Sequence, residues 1–571
     1  MENKKWILKE INEDKVAKLV KDCGISNLAA VVLQGREELL GFSEKPTLED
    51  RGFDALYDPF LLKDIEKAVQ RINQAIKDEE KITIYGDFDA DGVTATAVLY
   101  LYLKERGALV DYYVPDRIDE GYGVNIKALD TIKEKGTSLI ITVDTGITAV
   151  DDIKHASELG MDVIITDHHE PKTAVPEALA VIDPKQSDCK YPFKELAGVG
   201  VVFKLIQAFE GNSIDIVDKY MPLVCLGTIA DVVPLVDENR ELVKMGLARF
   251  IEFQDGGEIK MNEGIKALLE ATNPHNKKVT ATMIGFVIAP RINAAGRLGS
   301  ADKSVEMFLC DDERRATLIA QQLLEENKHR QQIEHEIYTE AVQIIERNRL
   351  HEHQIIVVAS EGWHQGVIGI VSSKITERYY KPSILISLDH RGNGKGSGRS
   401  IAHFNLFEAL SNCHGSLEKF GGHSLAAGLT IKQENIEAFR AELNEYAKKN
   451  MKIEDYIPTL FIDSKLRASD INLKSVEELQ KLEPFGMGNP MPVFMLQNAK
   501  ITMVTTMSEG KHLRIQLSFG TALVDAVGFA MGHLSEDLKL GEVVNIAGTL
   551  NINEYNGQRK LQILLKDIKH V

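Results

Sequence analysis

Short runs of β-branched residues alternate with helix-like stretches in the part of the chain that follows residue 80. Four of these runs end in an aspartate and a fifth follows them; they lie at 81–87, 110–116, 138–144, 161–167 and 180–184. The alternation is typical of βαβ units that build a largely parallel sheet. The sequence therefore predicts an α/β fold with a parallel sheet, in a domain placed at 80–310.

Two helical segments flank this domain. Apolar residues recur at helical spacing over 61–76, and we predict a helical lead-in at 1–79. Residues 311–348 contain many strong helix formers and neither Gly nor Pro, so we predict one long connecting helix at 311–350, with a broken pair of helices as the alternative. A helix of that length spans on the order of 50 Å, enough to separate two bodies and leave a groove between them.

The pattern changes again after the long helix. Apolar runs at 354–360 and 383–388, with an amphipathic stretch at 367–379, predict a second α/β domain at 351–452. From 458 to 571 the chain consists mostly of short alternating runs, which suit a small Greek-key barrel of the OB type.

Composition and charge restrict the class of protein. The 67 basic and 85 acidic residues of this 571-residue chain give a formal charge of −18, so a polyanionic partner must meet local positive charge. The five cysteines form no CxxC pair, which argues against a disulfide framework and a thiolate zinc site. The sequence has no apolar N-terminal segment and no run of 18 apolar residues. We expect a cytoplasmic protein that does not contact the membrane.

Carboxylates at strand ends are the first chemical signal. Asp87, Asp144 and Asp167 each close an apolar run. In a parallel sheet these ends lie along one rim, where ligands bind and where unscreened carboxylates repel one another. We therefore predict a cation site at this rim; the alternative is that these are solvated loop aspartates.

The densest group of acids lies at 85–97. Asp87, Asp89 and Asp91 alternate there and precede Gly92, which permits a tight turn into a helix. An EF-hand is excluded because no Glu stands at the twelfth position and a strand precedes the loop. Further candidates follow later in the chain, namely His168 and His169 after Asp167, and Asp231 after an apolar run.

These stretches resemble, in order, the four motifs of the DHH phosphoesterase superfamily: DFDADGVT, VDTG, DHH and GTIADVVPL. Other stretches are similar to its single-strand-specific DNA exonucleases and lie at 115–125, 197–205, 289–299, 362–375, 394–401, 420–428 and 483–494. The similarity covers nearly the whole chain. It implies a DHH catalytic domain, a connecting helix, a DHH-associated domain and an OB domain.

The resemblance also implies roles for the acids. Asp89 and Asp144 would hold one divalent ion, Mn²⁺ or Mg²⁺, and Asp91, Asp144, His168 and Asp231 a second. Asp87 either contacts metal or orients its ligands, and His169 would donate to the scissile phosphate. Two such ions activate water and stabilise the leaving oxygen of an in-line displacement at phosphorus.

A second set of residues is expected to bind the strand. Arg297, Ser397 and Arg399 offer guanidinium forks and a hydroxyl that suit a terminal phosphate. Gly421 and Gly422 permit close backbone approach beside His423. The last set of candidates is in the barrel, where side chains could follow a backbone and stack bases: Lys511, His512, Arg514 and Lys560, with Phe519 and Tyr555.

The function that the resemblance implies is a 5′ to 3′ exonuclease that releases 5′-mononucleotides from single-stranded DNA in repair and recombination. Single-strand-binding protein and a helicase are its expected partners. Two alternatives stay open, a DHH phosphodiesterase for nanoRNA or small nucleotides, and a non-enzymatic DNA-binding replication scaffold.

Overall fold

The computed structural model describes residues 4–36, 51–555 and 558–571. The helices are α1 Glu13–Cys23, α2 Asn27–Leu33, α3 Ile65–Lys77, α4 Ala90–Glu105, α5 Ile126–Glu134, α6 Val150–Glu158, α7 Gly198–Glu210, α8 Ile214–Ala230, α9 Asp237–Gln254, α10 Glu263–Thr272, α11 Ala281–Met283, α12 Ala289–Leu298, α13 Asp302–Leu309, α14 Glu313–Arg347, α15 Gln365–Tyr379, α16 Leu406–Asn412, α17 Ile436–Asn450 and α18 Leu473–Gln480. Among the described residues, none of these helices combines the length and the apolar character needed to cross a bilayer.

The strands form three sheets and one isolated pair. They are β1 Lys5–Leu8, β2 Lys81–Tyr85, β3 Leu109–Tyr113, β4 Leu139–Val143, β5 Asp162–Thr166, β6 Ala180–Ile182, β7 Ile356–Glu361, β8 Ser383–Leu388, β9 Asn393–Arg399, β10 Lys419–Gly422, β11 Ala426–Lys432, β12 Thr459–Ile462, β13 Ser464–Lys465, β14 Phe494–Met507, β15 His512–Phe519, β16 Ala522–Gly528, β17 Val543–Tyr555 and β18 Gln558–His570.

The first sheet has the order β3-β2-β4-β5-β6, and all of its strands are parallel. Its central strands are buried on both faces, as helices on both sides of a parallel sheet require. The direction in which strands are added reverses between β2 and β4. This reversal is a topological switch point, the place where open α/β sheets bind their ligands. The predicted parallel sheet is confirmed.

Helix α14 joins this body to the second one. Ala316, Ile319 and Leu323 of its first half belong to the core under the first sheet. Ile337 and Ala341 of its second half pack with α15 and the strands β7 and β8. One helix of 35 residues, about 50 Å long, therefore lies in the cores of both bodies and fixes their spacing.

The second and third sheets complete the molecule. The second has the order β10-β11-β9-β8-β7, in which β7 and β8 are parallel and the remaining pairs antiparallel. The third closes on itself, because β14 pairs with both β15 and β17, and it forms a five-stranded barrel of β14-β15-β16-β18-β17. The expected OB-type barrel is confirmed.

The segment predicted as a helical lead-in at 1–79 also contains a strand, and its helices belong to two different cores; residues 1–3 and 37–50 of that span lie outside the described residues. First, Lys5–Leu8 is a strand that pairs in parallel with β12. Second, α1 and α2 contribute to the core of the barrel, whereas α3 contributes to the core of the first sheet. A four-residue strand with a distant partner leaves no periodic signal, so the sequence pattern did not distinguish it from a loop or a helix start.

Candidate metal centre and strand-binding groove

Two aspartates lie at the switch point of the first sheet. Asp87 follows β2 and Asp144 follows β4, and both side chains are almost completely buried. Asp144 has a φ of 60°. A left-handed conformation is strained for a residue with a side chain, and such strain is concentrated at functional sites. The turn after β4 therefore directs a carboxylate into the centre of the site.

The loop between β2 and α4 supplies two more carboxylates. Asp89 caps α4, and its Oδ1 accepts hydrogen bonds from the amides of Asp91 and Gly92 at 3.0 and 3.1 Å. The carboxylate of Asp91 accepts from the amides of Gly198 and Val199 at 2.6 and 2.8 Å. Those amides begin α7, so a helix N-terminus orients Asp91.

The turn after β5 carries Asp167, His168 and His169. Oδ1 of Asp167 lies 2.7 Å from Nδ1 of His169 and also accepts from the amides of both histidines. Nε2 of His168 lies 3.1 Å from Oδ1 of Asp144 and 3.6 Å from Oδ2 of Asp231, the residue that ends α8. Asp167 thus orients the histidine pair. The sequence reasoning placed Asp167 on the rim but did not assign it this role.

Ligand atoms from four loops converge here. In each of three overlapping groups they lie within 4.8 Å of one another: Asp87, Asp89 and Asp144; Asp91, His168 and Asp231; and Asp144, His168 and His169. Asp144 is shared by two of the groups. The structure therefore brings together every acid and histidine that the sequence proposed for the metal centre.

Burial perturbs the titration of these groups. Desolvation, reinforced by the neighbouring carboxylates, raises the pKa values of Asp87, Asp144 and Asp231 well above the usual range, and that of Asp91 to about 7. Desolvation also lowers the pKa of His168 to about 3. Buried carboxylates repel one another, and a cation between them removes that cost.

The donor set fits divalent ions. Oδ1 of Asp87 is buried and has no hydrogen-bond partner among the described residues, and Oδ1 of Asp144 and Nε2 of His168, although 3.1 Å apart, form no hydrogen bond of acceptable geometry. Unpaired buried acceptors are costly unless something outside the protein chain satisfies them. Carboxylate oxygens with imidazole suit Mn²⁺, and the oxygens alone suit Mg²⁺. The residues present therefore match the metal chemistry expected from the sequence.

A positive side chain that sequence reasoning missed borders the acids. The Arg117 guanidinium stacks on Phe88 at 4.0 Å from the ring centroid and faces Asp87 and Asp89. Burial lowers its pKa, while the two carboxylates oppose that shift. Arg117 falls in a stretch quoted for the family resemblance, but its position over Phe88 depends on the tertiary fold.

The residues predicted to bind a terminal phosphate lie together where α12 meets the second body. Arg297 donates to the carbonyl of Gly366 at 3.3 Å, and Arg399 donates to Oγ of Ser397 at 3.2 Å. Burial lowers the pKa of both guanidinium groups, that of Arg297 to about 10, and the two arginines are close enough to repel each other. Two desolvated guanidinium groups that repel each other across the same site favour binding of an anion there.

The glycine-rich hairpin is adjacent to this cluster. In the second sheet Gly421 pairs with Gly428, and Gly428 pairs with Ser397, so the three form one row across β10, β11 and β9. Gly422 has a φ of 142°, and the amide of His423 donates to the carbonyl of Ala426 in the tight turn. Gly421, Gly422 and His423 are exposed.

Of the four barrel side chains proposed to bind the strand, Arg514 and Lys560 line a common groove, whereas Lys511 and His512 do not line it. Arg514 and Lys560 line a groove of about 420 Å³ with the exposed ring of Phe529, and Arg514 is paired with Asp525 at 3.0 Å. His512 packs against Phe529, and Lys511 lies in the turn before β15. Phe519 packs against the barrel core, so the exposed ring of Phe529 is the aromatic side chain that a base could stack on. The side chain of Tyr555 lies outside the described residues.

Comparison with family models divides the chain in the same order. Residues 81–228 match the N-terminal domain of the DHH family, residues 352–449 match the DHHA1 domain, and residues 462–567 match the RecJ OB domain. The match to the first model contains Asp87, Asp89, Asp91, Asp144, His168 and His169.

Curated relatives and solved structures agree with these matches. The chain is 42% identical to the single-stranded-DNA-specific exonuclease RecJ of Bacillus subtilis over 99% of this chain and 70% of that protein, and 35% identical to RecJ of Escherichia coli over 89% and 90%. RecJ of Thermus thermophilus in complex with Mn²⁺ superposes with a TM-score of 0.83 at 29% identity, covering 99% of this chain and 80% of that one. The chain therefore belongs to the RecJ family of single-stranded-DNA-specific exonucleases.

Proposed function

We propose that this protein is a metal-dependent exonuclease that degrades single-stranded DNA from 5′ to 3′, releases 5′-mononucleotides and acts in DNA repair and recombination. The observation that carries the proposal is the buried cluster of carboxylates and histidines at the switch point, which lies beside a separate arginine cluster. One part suits phosphodiester hydrolysis and the other suits recognition of a strand end.

We assign the metal ligands from the convergence of the side chains. Asp89 and Asp144, with Asp87 beside them, would hold one ion, and Asp91, His168 and Asp231 the other. Asp144, whose Oδ1 lies 3.1 Å from Nε2 of His168, would be common to both. When bound, two Mn²⁺ or Mg²⁺ ions activate water and stabilise the charge that develops on the phosphate. Desolvated carboxylates with unpaired oxygens support this assignment.

The chain itself orients these groups. The amides of Gly198 and Val199 fix Asp91, and Asp167 fixes the ring of His169 through Nδ1. In its protonated form His169 can donate from Nε2 to a nonbridging oxygen of the scissile phosphate. Nε2 of His169 lies 3.1 Å from the hydroxyl of Tyr122, so donation to phosphate would replace that contact and would stabilise the more charged transition state.

The arginine cluster would hold the 5′ end. Arg297, Ser397 and Arg399 offer donors to a terminal phosphate, and the exposed hairpin with Gly421, Gly422 and His423 leaves room for the first nucleotide. Arg514 and Lys560 in the barrel would contact the strand further along. In this division of labour the domains at 80–310 and 351–452 cleave and align the end, and that at 458–571 holds the strand.

The two alternatives are not favoured. A nanoRNA phosphodiesterase does not account for the barrel, which matches the RecJ OB model. A replication scaffold does not require the acids, yet all of them converge in this structure.

Partners and location follow from the substrate. We propose that a helicase supplies single strands and that single-strand-binding protein delivers them, because the RecJ relatives are named as exonucleases specific for single-stranded DNA. We propose that the protein works in the cytoplasm, because its curated RecJ relatives come from bacteria, whose DNA lies in that compartment.

One experiment tests the proposal. End-labelled single-stranded DNA, blunt duplex DNA and short RNA are incubated with Mn²⁺ or Mg²⁺, and the products are resolved by size. We expect mononucleotides from the 5′ end of single-stranded DNA and little from the duplex. Equal rates on single strand and blunt duplex, or cleavage within the strand, would contradict the proposal.

A further inference from the structure

A cavity of about 390 Å³ lies between the two α/β bodies, next to the arginine cluster. Its volume is in the range of small-ligand sites. Arg117 and Ile118 come from the first body, and the start of α15 forms one wall. The remaining lining comes from the second sheet, where Lys395, Ser397, Lys419, Gly428 and Thr430 occupy alternate positions of β9, β10 and β11 and so share one face.

The register of the sheet orders this face in rows. Ser397, Gly428 and Gly421 form one row. Lys395, Thr430 and Lys419 form the next row, in the direction away from Arg399. Since side chains two residues apart on a strand point to the same face about 7 Å apart, the second row continues the site that begins at Arg399 and Ser397.

The charge of the cavity has one sign. Arg117, Lys395 and Lys419 line it, and no carboxylate does. Within the described part of the chain, Lys395 and Lys419 form no salt bridge. Lys432, one row further on the same face, differs, because it is paired with Glu418 at 3.4 Å and lies outside the cavity. Two uncompensated lysines with a buried arginine favour a polyanion over a neutral base.

Glycines keep the floor of the cavity open. A Cβ on Gly428 would meet only a backbone oxygen at 3.8 Å, and one on Gly421, which continues the same row beside the cavity, would meet nothing within 4 Å. The row between Arg399 and Lys395 therefore leaves room for a ligand that extends from one cationic group to the other.

We propose that this cavity binds the β- and γ-phosphates of a 5′-triphosphate, so that strands with a 5′-triphosphate end are substrates. The inference rests on the proposed function, because it places the α-phosphate at Arg297, Ser397 and Arg399. Water then attacks the phosphorus of the first internucleotide linkage, the bond from that phosphorus to the 3′-oxygen breaks, and the 3′-oxygen receives a proton. The first product is a nucleoside 5′-triphosphate, and the shortened strand begins with a 5′-monophosphate.

The test compares three 3′-labelled single strands of one sequence that carry a 5′-triphosphate, a 5′-monophosphate or a 5′-hydroxyl. The kcat/KM with Mn²⁺ and the affinity in EDTA, from fluorescence anisotropy, are measured for each strand. Mass spectrometry identifies the first product of the triphosphorylated strand. We expect that strand to be bound and cut at least as well as the monophosphorylated one, with one nucleoside triphosphate released per strand.

Variants separate this inference from the proposed function. In Lys395→Ala/Lys419→Ala the preference for triphosphate over monophosphate should fall about tenfold, as expected for the loss of two partly exposed charge pairs. Lys432→Ala, the matched control, should keep the wild-type ratio. An unchanged ratio in the double variant, an equal slowing on both strands, or release of pyrophosphate instead of a nucleoside triphosphate would overturn the inference. Absence of cleavage of the monophosphorylated strand would instead overturn the proposed function.

Discussion

Gly198 provides a direct test of whether Asp144 must keep its place in the candidate metal centre. Gly198 begins α7, its amide donates to Asp91, and a Cβ added to it would lie 2.6 Å from Cβ and 2.7 Å from Oδ1 of Asp144. Gly200, two residues further in the same helix, would place its Cβ 3.5 Å from the nearest atom, a methyl carbon of Leu196. Gly198→Ala and Gly200→Ala therefore form a matched pair that differs in contact with the metal centre.

The structure sets the size of the effect. Carbon atoms in ordinary contact are about 3.5 Å apart, so Asp144 or the start of α7 must move by about 0.9 Å to accept Ala at 198. A misplacement of about 1 Å in a catalytic group costs on the order of 100-fold in rate. Overpacking costs about 1–3 kcal/mol, which is a fraction of the roughly 5–15 kcal/mol by which a domain is stable. Gly198→Ala should therefore stay folded while it loses activity.

The assay measures kcat/KM on a 5′-phosphorylated single strand, the Mn²⁺ concentration that gives half-maximal rate, and the affinity for Mn²⁺ by calorimetry. Gly198→Ala should lower kcat/KM about 100-fold and weaken Mn²⁺ binding, with a thermal midpoint near that of the wild type. Gly200→Ala should keep wild-type values. Wild-type turnover and Mn²⁺ affinity in Gly198→Ala would refute the reasoning, because Asp144 would then tolerate a displacement that the metal assignment forbids.

Three further predictions concern single side chains. Asp144→Ala should abolish turnover and weaken Mn²⁺ binding in a protein with an unchanged circular dichroism spectrum, and turnover close to the wild type would exclude the shared-ligand assignment. Arg399→Ala should lose about 2–4 kcal/mol of transition-state binding, or roughly 30- to 1000-fold in kcat/KM, and most of the preference for a 5′-phosphate over a 5′-hydroxyl. Arg391→Ala, in the turn before β9, is its control, and an equal slowing of both substrates by Arg399→Ala would show that Arg399 does not bind the 5′ phosphate. Lys204 and Glu238 form an ion pair at 2.8 Å, and both side chains are fully buried. Lys204→Met removes the charge partner of Glu238. The free energy of unfolding, measured by chemical denaturation, should fall by about 3–5 kcal/mol, and an unchanged value would mean that the buried pair is not coupled.

Much of the chemistry was readable from the sequence alone. The strands that precede Asp87 and Asp144 were recognisable because each is a short apolar run, and parallel strands place their carboxyl ends on one rim. The long helix was predictable because helix propensity sums over many residues without a Gly or Pro. Both features depend on residues that are close together in the sequence, so the pattern of apolar and helix-forming residues predicts them.

The tertiary structure decided what depends on residues far apart in the chain. The amides of Gly198 and Val199 orient Asp91 from more than 100 residues away, α1 and α2 pack on a barrel that begins beyond residue 450, and Arg117 joins a face built by β9, β10 and β11. None of these contacts can be recognised from hydrophobic periodicity. A contact between distant segments does not restrict the residues next to it in the sequence, so it produces no repeating pattern there. The sequence by itself therefore determined which groups carry the chemistry, and packing between distant segments determined their distances, their burial and their charges.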